Sequence, residues 1–321
     1  MTRDAFRSLR YRLLAASALV CAGAAAGQSF QGTGTPVAPG SATITTAPNT
    51  TNIQVNAPTA VINWTPSDVA TGGGPITFQA NGTTANFYTG TALADYTVLN
   101  RIVPVDPTRA VSFGGTVRST LSGTPGGPPG GNVWFYSPGG IILGNGANFN
   151  VGSLLLTSSD IDYDGSIANG TAPTGIITNP NAAYFVGSGS PSPFNEGSTV
   201  QVDSGASITA SNYVALFAPQ VLQDGNVTAN GGVGYVAANG GSLTFQSGNG
   251  LFDISVTEGT GFMGEGVLNP ALRHSGTTTG AVRDANSATF YSAMSNINVE
   301  IGDGNPAAAA IRFHVAQHAF L

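Results

Sequence analysis

The sequence predicts an all-β chain of the β-solenoid type. Three observations carry that reading: four short strands packed into one stretch, a constant offset between later strands, and a glycine-rich composition with little charge. In Asn132 to Thr157, NVWFYSPGGIILGNGANFNVGSLLLT, Val133 and Phe135 alternate with Trp134 and Tyr136, the period of a strand with two distinct faces. Ser137-Pro138-Gly139-Gly140 ends that strand: Pro138 fixes φ and removes a donor, and the two glycines can take the positive φ of a tight corner. Ile141 to Leu143 follow, Gly144-Asn145-Gly146 turns again, and Phe149/Val151 and Leu154/Leu156 each alternate. Strands this short offer two or three inward side chains apiece, so the unit has to be stacked on copies of itself to bury them.

The offset appears downstream. Ile208-Thr209-Ala210 aligns with Val227-Thr228-Ala229 at a spacing of 19, and the same spacing takes Val214 to Val233, Leu216 to Tyr235 and Ala218 to Ala237. Phe252 and Ile254 continue the series. An offset that holds across strand, corner and strand is what stacked coils produce, each inward residue about 4.8 Å above its predecessor. At 19 to 25 residues per coil, the chain predicts roughly a dozen coils in a rod of about 50 to 60 Å.

Composition agrees. Charged residues are 8 % of the 321, against roughly 25 % in an ordinary soluble domain, and 45 residues are glycine. Lysine is absent. With 41 % hydrophobic residues the chain is not of the disordered type, which combines high charge with low hydrophobicity. The net charge is −6 and four of the ten arginines, Arg3, Arg7, Arg10 and Arg12, lie in the first twelve residues, so the remainder lacks the clustered cations that a nucleic-acid partner requires.

Taken in order, residues 1–26 read as a signal peptide: a basic start, an apolar run over Leu13 to Ala22, and a small-residue site at Ala24-Ala25-Ala26. The single cysteine, Cys21, falls inside it, which leaves the mature chain without a disulfide. Residues 27–50 are Gly/Thr/Pro-rich and read as an irregular lead-in. Strands are expected at Ile53/Val55, Ala60 to Trp64, Ile76 to Ala80, Tyr96 to Val103 and Ala110 to Val117, and Ser122 to Asn132 as a flexible loop. The solenoid is expected over 51–260, with 261–321 a continuation, truncated or irregular, in which the repeat fades.

The succession AVINW (60–64), ITFQ (76–79), LNRI (99–102), VWFYSPGGIILGNGANFNVGSLLLTS (133–158) and YVALFAPQVLQDGNVTANGGVGYVAA (213–238) resembles the N-terminal secretion domain of filamentous haemagglutinin-type exoproteins, nearest in pattern to high-molecular-weight adhesins. These are the secreted halves of Gram-negative two-partner secretion systems. The resemblance covers residues 50 to 260 and implies a right-handed parallel β-helix with an N-terminal cap. It also implies export through the inner membrane, recognition by a POTRA-bearing outer-membrane barrel, folding on emergence, and a secreted or surface location facing a host or neighbouring cell. The family's Asn-Pro-Asn-Gly-Ile pentapeptide falls on Ser137-Pro138-Gly139-Gly140-Ile141, matching at Pro138, Gly140 and Ile141, and its Asn-Arg pair falls on Asn100 and Arg101. The loop from Ser122 to Asn132 looks like an insertion relative to that pattern. These seven positions are expected to act first as folding determinants and then in transporter recognition.

Other chemistry is poorly supported by the residues. Asp160-Ile-Asp162-Tyr-Asp164-Gly165 copies the opening of a calcium loop, yet Thr171 stands where the bidentate Glu belongs, so an exposed acidic turn is expected there. Arg101 is expected to pair with Asp95 or Asp106. His314 and His318 lack a third ligand nearby, and no metal or cofactor is expected. A β-helical polysaccharide-active enzyme is disfavoured because Arg101, Arg109 and Arg118 have no acidic cluster close in sequence, and an outer-membrane barrel because regular ten-residue strands are missing.

Overall fold

The computed structural model describes residues 27–90, 93–164, 175–177, 180–186, 195–245, 252–258, 272–274 and 276–285. Among them the chain forms strands only, with no helix. Strands β1 (Gly32–Pro36) and β2 (Ala42–Ala47) precede the first coil, which is β3 (Thr50–Val55), β4 (Thr59–Pro66) and β5 (Ile76–Gln79). The second coil is β6 (Thr84–Thr89), β7 (Thr97–Ile102) and β8 (Val111–Phe113); the third is β9 (Thr116–Thr120), β10 (Asn132–Tyr136) and β11 (Gly140–Leu143). The fourth holds β12 (Asn148–Val151) and β13 (Ser153–Thr157), departs through β14 (Ala182–Phe185), and closes on β15 (Thr199–Val202). In the fifth come β16 (Ser207–Ala210), β17 (Val214–Ala218) and β18 (Gln220–Gln223). Strand β19 (Asn226–Ala237) runs through two faces of the sixth; after β20 (Gly240–Phe245) and β21 (Phe252–Glu258) leave the stack, β22 (Leu272–His274) completes it and β23 (Thr277–Ala285) begins a seventh.

Each strand pairs in parallel with its counterpart one coil away. Asn132 to Tyr136 lie beside Thr97 to Arg101 on one side and Ser153 to Thr157 on the other, and Ile141 lies between Val111 and Val200. This is a parallel β-helix of three sheet faces. A transmembrane barrel is overturned by it, since barrels of that kind pair their strands antiparallel. The four strands expected between Asn132 and Thr157 are all present.

The lumen is filled by the inward residues of every coil, among them Ile53, Val98, Val117, Leu154 and Leu216, all fully buried. Its lower end is aromatic. Phe30 lies 4.9 Å from Phe78, 5.2 Å from Trp64 and 6.1 Å from Phe113, centroid to centroid, and Phe113 passes the stack on to Phe135 at 5.1 Å and Phe149 at 5.7 Å. All but the Phe30–Phe78 pair, which is tilted by 30°, meet edge to face, and such pairs are favourable beyond the area they bury.

Residues 27–50 are therefore not the irregular lead-in their composition suggests. Strand β1 pairs antiparallel with β4, β2 antiparallel with β3, and Phe30 plugs the lumen between them. Reversed strands on the first rung use up the edge that would otherwise be open to pairing.

The spacing of 19 between β16 and β19 is real, with Ile208 beside Val227 and Val214 beside Val233, but it is the shortest coil and not the rule. Thr50, Thr84, Thr116, Asn148, Ser207, Asn226 and Thr277 occupy one register position. The intervals between them reach 59 residues, because excursions leave and rejoin the stack. Among the described residues seven coils are found, spanning roughly 30 Å, where a spacing of 19 to 25 predicts a dozen for the chain. Phe252 and Ile254 do not continue the ladder: β21 is the partner of β20 in an antiparallel sheet with β14. The repeat instead resumes at Thr277, beyond the residues where it fades in the sequence.

That three-stranded sheet covers the outside of the helix. Trp134, Leu155, Ala215 and Phe217 face outward from β10, β13 and β17, and are buried under Ala183, Phe185, Leu243 and Phe245. Phe185 stacks on Phe217 at 3.7 Å and Tyr213 on Phe245 at 4.2 Å. The signal peptide read over 1–26, Cys21, His314 and His318 lie outside the described residues, as does most of 261–321.

Candidate functional site

The two motif stretches, 36 residues apart in sequence, are neighbours in space, with Asn100 beside Phe135 and Arg101 beside Tyr136 on adjacent rungs. Alternation along β7 sends Asn100 inward and Arg101 outward. Asn100 is fully buried in an otherwise apolar lumen and is matched there. The Trp64 indole Nε1–H donates to its Oδ1 at 3.0 Å, and its own Nδ2 donates to the Trp134 carbonyl at 3.2 Å. One amide thus satisfies the indole of the coil below and reaches the coil above, which makes Asn100 a mid-strand clamp and not a corner residue.

Arg101 pairs with neither Asp95 nor Asp106. Its Nε donates to Asp160 Oδ1 at 3.0 Å, a second guanidinium nitrogen bonds Asp160 Oδ2, and a third contact reaches Asn63 Oδ1 at 3.1 Å. The Tyr136 and Tyr163 rings lie 5.6 Å and 5.2 Å from the guanidinium carbon. Burial pulls on the arginine, yet the hydrogen bonds and charge of Asp160 outweigh it and hold its pKa above the ordinary value. Burial, followed by the charge of Asp160, pushes the Tyr136 hydroxyl far up, so it stays protonated. The missed partner stands 59 residues downstream, whereas Asp95 accepts from the Tyr96 amide and Asn132, and Asp106 from Gly72 and Thr108.

The same contact decides the aspartate run. Asp160 and Asp162 are only 3 % and 5 % exposed, not parts of an exposed acidic turn, and Asp160 is turned onto Arg101 and not into a ring of ligands. Since Asp160 begins the excursion to β14, the ion pair ties the outer sheet to the rung of β7.

The corner from Ser137 to Ile141 is buried at all five positions. The Gly140 amide donates to the Ser137 carbonyl at 3.0 Å to close the turn, and the Ser137 amide donates to Thr157 of the next rung at 3.1 Å. The cap is made by backbone alone, because the Ser137 hydroxyl is buried with no partner. Gly140 takes a φ of 107°, while Gly139 is glycine for a different reason: a Cβ there would sit 2.1 Å from the Arg109 carbonyl oxygen. Arg109 is itself fixed, its guanidinium 2.8 Å from Asp68 and its Nε donating to the Gly74 carbonyl at 3.0 Å.

All seven sequence-derived positions therefore fall within one corner and the rung beside it, and they serve packing, hydrogen bonding and a turn. Arg101 and Arg109 are each held by a carboxylate, which leaves neither poised as a base for eliminating a uronic-acid substituent. Among the described residues no three His, Cys, Asp or Glu side chains converge as metal ligands. Phe30 and the outer sheet were missed from the sequence. A signal for the sheet existed: VWFY, SLLLT and YVALFA are apolar at successive positions, as strands buried on both faces are.

Among solved structures, the chain is similar to the HMW1 secretion domain from Haemophilus influenzae, at 17 % identity and a TM-score of 0.48, over 80 % of this chain. It spans 57 % of that chain. No protein-family model matches the sequence, and no curated protein is significantly similar to it.

Proposed function

We propose that this chain is a two-partner secretion exoprotein domain, non-enzymatic, exported by its signal peptide, recognised by the POTRA domains of a cognate outer-membrane barrel, and folded into its β-helix as it emerges at the cell surface. The observation that carries the reading is the convergence of the Asn100-Arg101 pair and the Ser137-to-Ile141 corner, the two motif stretches of the resemblance, on adjacent buried rungs. Burial has a consequence for recognition. Ser137, Pro138, Gly139, Gly140 and Ile141 are accessible only before the coil closes, so a transporter that reads them reads the extended chain.

Folding outside then supplies direction. Each coil that closes withdraws apolar side chains from water, at about 25 cal/mol per Å² of apolar area, and every closed coil makes backward movement through a narrow pore harder. No nucleotide hydrolysis is needed for that step. The adhesive role and the surface it would meet belong to the same proposal.

The test is a secretion assay in which the full chain is co-expressed with its barrel. Export to the medium should need the barrel, and Val151→Asp, which places a carboxylate in the lumen, should cut it sharply. Export that persists without the barrel would sink the proposed partnership, and undiminished export of Val151→Asp would sink folding-driven passage.

A further inference from the structure

The corner Gly144-Asn145-Gly146 and its counterpart Ala80-Asn81-Gly82 are not absorbed by the secretion reading. Both are built alike. The Ala147 amide donates to the Gly144 carbonyl at 3.0 Å and the Thr83 amide to the Ala80 carbonyl at 3.4 Å, and the third residue takes a positive φ, 93° at Gly146 and 77° at Gly82. That φ at the third position of a four-residue turn favours glycine, directly after the asparagine. The corner after β15 is made the same way with a different second residue: the Ala206 amide donates to the Asp203 carbonyl at 3.0 Å, and Gly205, with a φ of 91°, follows Ser204. The turn therefore does not demand asparagine.

The chain holds six Asn-Gly pairs, of which Asn81-Gly82, Asn145-Gly146, Asn230-Gly231 and Asn239-Gly240 lie among the described residues. They differ in what deamidation requires: an exposed side-chain amide, a following backbone nitrogen not committed elsewhere, and water. Asn81, Gly82, Asn145 and Gly146 are all exposed and lie between strands. Among the described residues the Gly82 amide donates to no backbone carbonyl, and the Gly146 amide reaches the Gly205 carbonyl only at 3.5 Å. The other two pairs are shielded. Gly231 and Gly240 are buried; the Gly231 amide donates to the Asn212 carbonyl at 2.7 Å, Gly240 lies in register with Glu258, and Asn239 is only 4 % exposed.

We propose that Asn81 and Asn145 are sites of spontaneous deamidation on the folded helix. The backbone nitrogen of Gly82 or Gly146 gives up its proton to water and bonds to the side-chain carbonyl carbon of the asparagine before it. The bond from that carbon to the side-chain nitrogen breaks, and ammonia leaves with a proton taken from solvent. Water then opens the resulting succinimide ring at either carbonyl, giving aspartate or isoaspartate, and no oxidant, metal or enzyme is consumed. Glycine sets no side chain against the attacking nitrogen, so the residue that permits the positive φ also permits the reaction. Both corners sit outside the ladder, so moving their central peptide leaves β5, β6, β11 and β12 paired, whereas Gly231 and Gly240 react only after part of a strand opens. Each event adds one negative charge, and the isoaspartate form adds a carbon to the backbone of the corner. At Asn145 the charge falls against the next corner, because its side-chain oxygen lies 2.5 Å from where a Cβ on Gly205 would stand.

The test is peptide mapping by mass spectrometry of the purified full chain, incubated in mildly alkaline buffer both folded and in concentrated guanidinium chloride. In the folded chain the peptides holding Asn81 and Asn145 should gain about 1 Da at least tenfold faster than those holding Asn230 and Asn239, and denaturant should erase that difference. Asn81→Ser and Asn145→Ser, which copy the Ser204-Gly205 corner, should keep the circular dichroism spectrum of the parent and abolish the gain at their own position. Equal rates at all four asparagines in the folded chain overturn the proposal, as does no gain at Asn81 and Asn145 over a period in which the denatured chain reacts fully. A gain at one of the two corners alone overturns the assignment of the other.

Discussion

Asn100 shows how one polar side chain is accommodated inside an apolar rod. Its amide is matched to an indole donor and a carbonyl acceptor, so removing it strands the Trp64 indole N–H away from water, while the Trp134 carbonyl stays within the ladder. Asn100→Leu, similar in shape, should cost about 1–3 kcal/mol, the cost of one unsatisfied buried group. A lowered urea midpoint at unchanged slope is the measurement that checks it. The sequence marked Asn100 and Arg101 as important through their resemblance to a known pair, yet it named Asp95 or Asp106 as the partner of Arg101 where the structure has Asp160, and named none for Asn100. The partner of Arg101 lies on a segment that leaves and rejoins the stack, and no local pattern links residues brought together by such a detour. Ser137 was legible as a turn residue, and the backbone closes that turn unaided, with the Ser137 hydroxyl buried and without a partner.

At the scale of elements, corners constrain the chain more tightly than strands. Gly139→Ala drives a Cβ into the Arg109 carbonyl, whereas at Gly144 the nearest atom to a new Cβ is the Phe113 carbonyl oxygen at 3.6 Å. The first change should therefore cost about 3 kcal/mol or more and the second stay within about 0.5 kcal/mol, a contrast that thermal melts of the two variants would display. The loops after β4 and β7 carry a pH signature. Asp68 is held below its ordinary 3.8 first by its hydrogen bonds from Arg109, and Asp106 first by that from Thr108. A carboxylate with a depressed folded value stabilises above the unfolded pKa and loses that contribution as the pH falls through the folded one. The Ala70, Gly72 and Thr108 amide shifts, all donors to these carboxylates, should accordingly titrate with midpoints below 3.8 in a nuclear magnetic resonance series. Individual strands were legible in the sequence because alternation and turn residues are local. The outer hairpin was misplaced in the ladder because a strand's period says nothing about which neighbour it joins.

At the scale of the molecule, the class of fold was legible and its size was not. Two adjacent coils without an excursion, β16 to β18 and the start of the next, set the apparent period, and every coil with a detour hid from it. The cap was hidden for a related reason: its Gly/Thr/Pro composition looks irregular until a first rung exists for it to pair with. Phe30 makes the cap cooperative with the lumen, in contact with rings from three successive coils. Phe30→Ala should cost about 3–5 kcal/mol and lower the denaturant midpoint of the whole helix, not of the cap alone, so probes on Trp64 and Tyr235 should shift together.

That plug also gives the rod a polarity. With a phenyl ring seated where another layer would rest and two reversed strands turned across the same rim, the end at β1 and β2 refuses a further parallel coil. Growth by duplication or fusion has only the opposite rim to work with, and any longer filament descended from this scaffold would lengthen in a single direction.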